Sequence, residues 1–306
     1  MEALTHIPAL RDVHAFRPGY AIEYDFFDPT QLTHTLESKL VKNLFLAGQV
    51  NGTTGYEEAA GQGLIAGINA HQNVTGGEPF TLARNEAYIG VLIDDLVTCG
   101  VDEPYRMFTS RAEHRILLRQ DDADMRLTEK SYRLGLATQE RYDLMCSKRE
   151  QMDALTEFCR QFTVKAAVVN PMLETRGIQP LSQGQRLYEL LLRPQVNMTM
   201  LAEALPELRA QLGNLEEARR DEIIEAAEIA IKYQGYIERE TLIADRVARL
   251  DNVTLKGKFD YSQILQISTE ARQKLQAIDP ETVGQASRIP GVSPSDINIL
   301  LALLGR

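Results

Sequence analysis

The feature that most constrains the fold is the stretch NLFLAGQVNGTTGYEEAAGQGLIAG, residues 43–67, where a glycine-rich turn follows a short apolar run. Residues 43–49 are predicted to form a buried strand, because the run is apolar and ends at glycine. Thr54 and Glu57 have capping-box spacing, which predicts that a helix begins near Thr54. Three glycines inside that helix each cost it about 1 kcal/mol relative to alanine. So many glycines in the turn and the helix indicate either a ligand that approaches the backbone closely or tight packing on a neighbouring element.

Composition limits the class of protein. The chain has 306 residues, of which 44% are hydrophobic and 25% charged, as in soluble globular proteins of about two domains. No run reaches the ~18 apolar residues that would span a bilayer, and the N-terminus lacks a signal-peptide layout, so a cytoplasmic location is expected. The three cysteines form no CxxC pair, which predicts neither disulfides nor a metal site. Because the net charge is −10, any nucleic-acid binding must depend on a local basic patch.

The spacing of apolar residues changes near residue 75, and this change divides the chain into predicted domains. Before it, short aromatic or branched runs such as GYAIEYDFF (19–27) are typical of strands. After it, helical spacing predicts helices at 83–98, 110–119, 139–162, 185–192, 198–212 and 215–250, with a break at 170–184. We predict an α+β chain in three parts: residues 1–74, a first helical subdomain at 75–214, and a helical C-terminal subdomain at 215–306 with a hairpin-like end.

A second pattern is EPYRMFTSRAEHRILLR, residues 103–119, which is rich in arginine. In a helix capped by Ser110, Arg111, Arg115 and Arg119 would lie on one face, with Arg106 just ahead of it. Guanidinium groups in such a row suit an RNA backbone. The alternative is that the arginines pair within the chain with nearby aspartates: Asp121, Asp122 and Asp124.

The C-terminal segment ETVGQASRIPGVSPSDINILLALL, residues 281–304, predicts two short helices around an Ile-Pro-Gly-Val turn. It is similar to the helix-hairpin-helix module, in which the turn and the next helix offer backbone N–H groups to a phosphate. Arg288 is the cation that would assist there. The alternative is an αα-hairpin that serves packing alone.

Three segments, GYAIEYDFFDP, the stretch at 43–67 and EPYRMFTSRAEHRILLRQDDADMRL, together resemble the FAD-containing subunit of the tRNA uridine 5-carboxymethylaminomethyl-modification enzyme, the glucose-inhibited division protein A family. The resemblance runs from about residue 4 to residue 306. It implies the C-terminal remnant of a Rossmann-like FAD-binding domain followed by a mainly α-helical domain. It also implies a homodimeric flavoenzyme that works with a GTPase partner, NADH and a methylene-folate donor on the wobble uridine of tRNA.

The resemblance assigns the glycine-rich turn to the flavin. It implies that Gln49 reaches the flavin or its ribityl chain and that further residues wrap the isoalloxazine edge: Asn51, Gly52, Thr53, Gly55 and Tyr56. The family's glycine-rich fingerprint for the FAD pyrophosphate does not occur in these 306 residues, so FAD binding by this chain alone is expected to be weak or absent. The family's reactive cysteines also lie in the upstream half. We therefore assign no catalytic residue here and expect Cys99, Cys146 and Cys159 to be inert.

Two other hypotheses remain open. The related folate- and FAD-dependent tRNA uridine methyltransferase shares the glycine-rich stretch, but it lacks the long helical tail and the PYRMFTSRAE segment. Alternatively, the chain is a non-catalytic module that binds tRNA and a partner protein. A visible absorption spectrum of the purified chain separates the flavoenzyme from the module.

Overall fold

The computed structural model describes residue 4, residues 6–14, 16, 17 and 19, and residues 23–305. The chain separates into two compact units, Met1–Phe80 with Gly100–Arg106, and Thr81–Cys99 with Met107–Arg306. The helices are α1 (Tyr56–Thr75), α2 (Tyr88–Cys99), α3 (Ala123–Arg133), α4 (Gln139–Gln161), α5 (Ala166–Thr175), α6 (Leu187–Leu191), α7 (Met198–Ala204), α8 (Pro206–Gly213), α9 (Arg220–Asp251), α10 (Thr269–Ile278), α11 (Val283–Arg288) and α12 (Pro294–Leu303). Strands β1 (Thr163–Val164) and β2 (Gln185–Arg186) form an antiparallel pair, the one sheet among the described residues.

The strand predicted at residues 43–49 does not form. This segment makes one isolated bridge, between Glu37 and Phe45, and two neighbouring backbone hydrogen bonds of 2.8 and 3.1 Å. Leu36 and Asn43 both have a φ of 65°, so the chain turns on each side of the bridge. A continuous ladder therefore has no room to develop between them.

The strand predicted at residues 19–27 lies partly outside the described residues, which omit residues 20–22. In the described part, residues 23–27 do not form a strand. The Phe27 N–H donates to the Val50 carbonyl at 2.8 Å, which ties this segment to the glycine-rich turn.

Helix α1 begins two residues later than predicted. Gly55 is the N-cap, no side chain caps the helix, and the capping box of Thr54 and Glu57 does not form. The helix ends at Thr75, and its C-cap is Gly76, whose φ is 71° and whose N–H donates to the Gln72 carbonyl. The glycine at that position supplies the left-handed conformation that ends the helix.

One face of α1 is uncovered, and this leads to a stability prediction. A Cβ added at Gly63 or Gly67 would meet no atom within 4 Å among the described residues. Gly63→Ala and Gly67→Ala are each expected to raise the free energy of unfolding of the first unit by about 0.5–1 kcal/mol, because alanine favours the helix. Urea denaturation followed by circular dichroism measures the change.

Gly48→Ala is the matched control, because Gly48 has a φ of 89° and alanine there is strained. It is expected to destabilise the same unit. Destabilisation by Gly63→Ala or Gly67→Ala would show that this face of α1 is packed against another backbone in solution.

The described part of the second unit contains two extensive apolar cores, beside a small cluster of Val91, Ala112 and Leu118. The larger one is built from residues between Leu155 and Ile231, on α4 to α9. The smaller one joins residues between Val253 and Leu300, on α10 to α12 and their connections. The two short helices predicted at the C-terminus form as α11 and α12.

Two helix predictions in this unit are corrected by packing. The predicted break at 170–184 is partly helical, since α5 continues through Pro171 to Thr175. Val169 and Leu173, both 0% exposed, anchor α5 in the core and offset the cost of the proline. The single helix predicted at 198–212 is two helices, because Pro206 begins α8 at its first turn.

Candidate functional site

The glycine-rich turn lines a cleft of about 190 Å³ in the first unit. The lining residues come from three segments of that unit: Tyr24, Phe26, Gln49, Gly52, Thr53, Thr54, Val101, Asp102, Glu103 and Pro104. The Tyr105 N–H donates to the Gly52 carbonyl at 2.8 Å, which joins the turn to the segment after Gly100. Tyr24 and Phe26 are 55% and 52% exposed, so their rings are accessible to a ligand.

A buried side chain on α1, Gln62, holds the turn in place. Its Oε1 accepts from the Gly48 N–H at 3.1 Å and from Asn51 Nδ2 at 2.8 Å. Its Nε2 donates to Thr53 Oγ1 at 3.0 Å and to the Glu58 carbonyl at 3.1 Å. Gln62 is 0% exposed, so the network is shielded from water. Gln62 is not among the site residues that the sequence pattern predicts, although a glutamine between buried helical positions is the signal that would have indicated it.

The six predicted flavin residues therefore separate by position. Gln49, Gly52 and Thr53 line the cleft, and Tyr56 is 93% exposed at the start of α1. Asn51 and Thr53 are 0% and 1% exposed and support the turn from inside through Gln62. A Cβ at the sixth residue, Gly55, would lie 1.6 Å from a Glu58 carboxylate oxygen, so any larger residue there would require the Glu58 side chain to move. A cofactor role for these residues stays a prediction.

The charge of the cleft indicates which part of a flavin it suits. Among the described residues, its lining includes Asp102 and Glu103 but no lysine or arginine. Carboxylates repel a pyrophosphate, whereas the rings of Tyr24 and Phe26 suit an uncharged aromatic group. The buried Asn51 Oδ1 accepts no hydrogen bond from the described residues, although Asn51 is not a lining residue of the cleft. The residues present thus fit the ring end of a flavin and lack the donors for its pyrophosphate.

The arginine-rich segment is not the helix that its spacing predicts. Residues 110–119 contain only two short 3-10 turns, Thr109–Arg111 and Arg115–Leu117. Backbone carbonyls of this segment accept hydrogen bonds from guanidinium groups. Arg84 donates to the Arg111 carbonyl at 3.4 Å and Arg126 to the Arg119 carbonyl at 2.8 Å. Arg119 donates to the Ile116 carbonyl at 2.7 Å. These bonds to side chains replace the backbone bonds that a helix would make. Hence the predicted single face of arginines does not exist.

The four arginines have different surroundings. Arg106 belongs to the first unit, where its Nε lies 3.7 Å from Glu58 Oε1. Arg111 and Arg115 belong to the second unit and are exposed. Arg119 pairs with Asp121 at 3.2 Å and with Asp122 at 2.8 Å, as the structural alternative expected. The third aspartate of that alternative, Asp124, binds Lys148 at 2.9 Å.

Arg288, predicted to assist phosphate binding, is held by two carboxylates. Its Nε lies 2.8 Å from Asp94 Oδ2 and its Nη1 lies 2.9 Å from Asp251 Oδ1. A carboxylate also occupies the start of α12, where Asp296 accepts from the Ser293 N–H at 2.9 Å and from the Ser268 N–H at 2.7 Å. Burial raises the pKa of Asp296, but these hydrogen bonds outweigh burial and its pKa is lowered. The hairpin-like end therefore presents negative charge where a phosphate would bind.

Metal-ligating clusters, membrane-spanning helices and reactive thiols are further features that could give the described part of the chain a function. No group of three or more His, Cys, Asp or Glu side chains there is placed to hold a metal ion, and no helix there has the length and apolarity to cross a membrane. Burial raises the pKa of Cys99 to about 11 and that of Cys159 to about 12, so both thiols are protonated at neutral pH.

Three family models match parts of this chain and leave residues 79–138 uncovered. Residues 1–78 match the family model "Glucose inhibited division protein A". Residues 139–241 match the "tRNA modifying enzyme MnmG/GidA C-terminal helical domain", and residues 243–306 match the "C-terminal helical bundle" of the same enzymes. The three family models match successive parts of the chain without overlap.

Whole-chain comparisons agree with these models. The tRNA uridine 5-carboxymethylaminomethyl modification enzymes MnmG of Parabacteroides distasonis and Porphyromonas gingivalis are 66% and 62% identical over 306 residues. These residues are all of this chain and 49% of each relative, so the chain spans about half the length of the curated relatives it matches.

Solved structures of Aquifex aeolicus GidA confirm the fold class. The form II crystal structure has a TM-score of 0.76 and 41% identity, covering 100% of this chain and 47% of that one. The form I structure has a TM-score of 0.71 and 40% identity, covering 99% and 46%. With the family models, the relatives and the solved structures in agreement, the chain belongs to the MnmG/GidA family of tRNA-modifying enzymes.

Proposed function

We propose that this chain supplies one wall of the flavin site and the helical tRNA-facing region of a tRNA uridine 5-carboxymethylaminomethyl modification enzyme. The observation that carries this proposal is the match along the whole chain to relatives of that name, at up to 66% identity. The proposed product is an aminomethyl-type group on C5 of the wobble uridine. The resemblance further implies a GTPase partner, NADH, a methylene-folate donor, a homodimer and a cytoplasmic location.

The cleft beside the glycine-rich turn is the proposed contact with FAD. When bound, FAD supplies two-electron redox chemistry. On this chain, Gln49 and the backbone of Gly52 would orient the ring, while Tyr24 and Phe26 would cover it and exclude water. The Gln62 network would keep the turn rigid, so that the ring is held in one position. The pyrophosphate would be held outside this chain's cleft, because the described lining residues include no cation.

The proposed tRNA contacts include the exposed arginines of the arginine-rich segment, Arg111 and Arg115. Arg119 and Arg288 contribute less to RNA binding in this proposal, since carboxylates already neutralise them. Arg106 stays a candidate from the sequence pattern.

A chimaeric enzyme tests the proposed function. The C-terminal half of the Parabacteroides distasonis relative is replaced by this chain, and the chimaera is expressed in a strain that lacks the enzyme. We expect tRNA from that strain to contain the modified wobble uridine, measured by nucleoside mass spectrometry. A soluble, flavin-loaded chimaera that leaves the uridine unmodified would contradict the proposal.

Gln49→Ala in the same chimaera tests the cofactor contact. We expect FAD to bind about 2- to 10-fold more weakly, because one hydrogen bond to the ring or ribityl chain is lost. Flavin absorption after desalting measures occupancy. The matched control is Gln139→Ala, an exposed glutamine at the start of α4 outside the cleft, which should leave occupancy unchanged.

The second candidate function, a module that binds tRNA without a flavin, is favoured by the acidic rim of the cleft. It predicts that the chain binds tRNA but that the chimaera needs no intact Gln49 for activity. Full activity of the Gln49→Ala chimaera at normal and at limiting FAD would support the module and remove the flavin contact.

A further inference from the structure

The C-terminal half of α9, residues 232–250, has a face that packs on the unit and a face that does not. On the packed face, Ala244 is 2% exposed and Glu240 Oε1 lies 2.7 Å from Nδ1 of the buried His114. At the end of the helix, Asp251 pairs with Arg288 at 2.9 Å. Two acidic groups of this region are therefore committed to contacts within the unit.

The opposite face, here called the outer face, carries aromatic, apolar and basic side chains. At about 100° per residue, its members fall within a sector of about 140°: Tyr236, Arg239, Leu242, Ile243, Arg246 and Arg249. Tyr236 is 61% exposed, Leu242 is 62% and Ile243 is 43%. Exposed apolar and aromatic side chains grouped in this way mark a binding surface in a soluble protein.

The three arginines of the outer face are exposed, and none forms an ion pair with any residue that the structure describes. The guanidinium carbon of Arg239 lies 6.0 Å from the ring centroid of Tyr236, which is a cation–π distance. Glu238 and Asp245 fall outside the sector by their helical positions. The outer face is thus a local basic patch on a chain of net charge −10.

We propose that the outer face of α9 binds RNA. The arginines would contact phosphates along about 15 Å of helix, the axial rise from Arg239 to Arg249. Tyr236 would stack on an unpaired base, beside the guanidinium of Arg239. This inference rests on the proposed function, in which tRNA is the substrate, and it locates an RNA contact away from the arginine-rich segment.

RNA fits this surface better than an acidic protein partner does. Three guanidinium groups that form no ion pair with the described residues are available to a polyanion. Other arginines of the unit, such as Arg119 and Arg288, are already neutralised by aspartates. Tyr236, at one edge of the sector, places a ring beside these charges, the combination that binds single-stranded nucleic acid.

The test measures binding of an unmodified tRNA transcript to the chain over a range of salt concentrations. The variant Arg239→Gln/Arg246→Gln/Arg249→Gln is expected to reduce the slope of log affinity against log salt by about 2, since each phosphate contact on single-stranded RNA contributes about 0.7. Tyr236→Ala is expected to weaken binding about 5- to 100-fold, while Tyr236→Phe keeps the ring and the affinity.

The matched control removes three exposed cations elsewhere on the same unit that also form no ion pair with the described residues, Arg141, Lys165 and Lys258, all to Gln. It changes the net charge equally and should leave the salt slope within about half a unit of wild type. Circular dichroism confirms that every variant is folded.

Each outcome decides the proposal. If wild type binds tRNA and the outer-face variants keep its affinity and slope, the outer face is not the RNA contact, although the proposed function stands. If those variants keep tRNA binding but lose binding to an acidic partner protein, the surface is a protein interface. If wild type binds no tRNA, both this inference and the proposed tRNA contact fall. An equal loss in the control variant would show that general charge, not this face, is responsible.

Discussion

Replacing Asp94 with alanine is expected to lower the free energy of unfolding of the second unit by about 3–5 kcal/mol. Asp94 is 5% exposed and lies between two guanidinium groups. Its carboxylate is 3.0 Å from Arg84 Nη1 and 2.8 Å from Arg288 Nε, and these side chains are only 13% and 16% exposed. Without Asp94, two largely buried positive charges face each other with less compensation, and water reaches neither easily.

The electrostatics of Arg84 support this expectation. Burial lowers the pKa of Arg84, but its hydrogen bond to Glu113 and the charges of Asp95 and Asp94 outweigh burial, so the pKa ends above its usual value. Arg84 therefore stays charged at every accessible pH and needs its carboxylates.

Urea denaturation measures the effect of Asp94→Ala. The control is Glu129→Ala, which removes a carboxylate from an exposed pair with Arg133, whose side chain is 74% exposed. That pair should contribute less than about 0.5 kcal/mol. Equal destabilisation by the two replacements would show that Asp94 has no special role in joining α2 to α11.

The second large effect is expected at Lys148, whose side chain is 2% exposed. Its Nζ lies 2.9 Å from Asp124 Oδ2 and 2.6 Å from Glu222 Oε1, which joins α3, α4 and α9. The double variant Asp124→Asn/Glu222→Gln leaves this ammonium group without a carboxylate. It is expected to lower the free energy of unfolding by about 3–5 kcal/mol.

Adding Lys148→Met to that double variant supplies the control. It removes the unpaired charge and keeps most of the apolar stem, so the triple variant should recover much of the lost stability. A triple variant as unstable as the double variant would show that the loss comes from Asp124 and Glu222 themselves.

The same cluster predicts a dependence on pH. Hydrogen bonds from Arg219 and then from Lys148 lower the pKa of Glu222 from 4.5 to about 2. A lowered carboxyl pKa means that the stabilisation is complete above about pH 4.5 and is lost as the pH falls towards 2. The melting temperature of wild type should therefore fall more steeply over this interval than that of Glu222→Gln.

Much of this protein follows from local sequence. The helix at 139–161 lies within one residue of its predicted span, because a long apolar period and the cap at Thr138 are local signals. The turn at Gly48 and Gly52 was also predictable, since φ values of 89° and 79° require glycine there.

Other features depend on residues far apart in the chain, so that only the tertiary structure decided them. Arg288 meets Asp94 across 194 residues, and His114 meets Glu240 across 126, so neither pairing is visible in a local pattern. The arginine-rich segment is the clearest case. The spacing of its arginines is that of a helix. However, its backbone carbonyls accept hydrogen bonds from the guanidinium groups of Arg84 and Arg126, and its His114 side chain is buried. Local spacing thus determined which segments can be helical. Long-range charge pairing and burial decided which of them are, and which arginines are held by carboxylates.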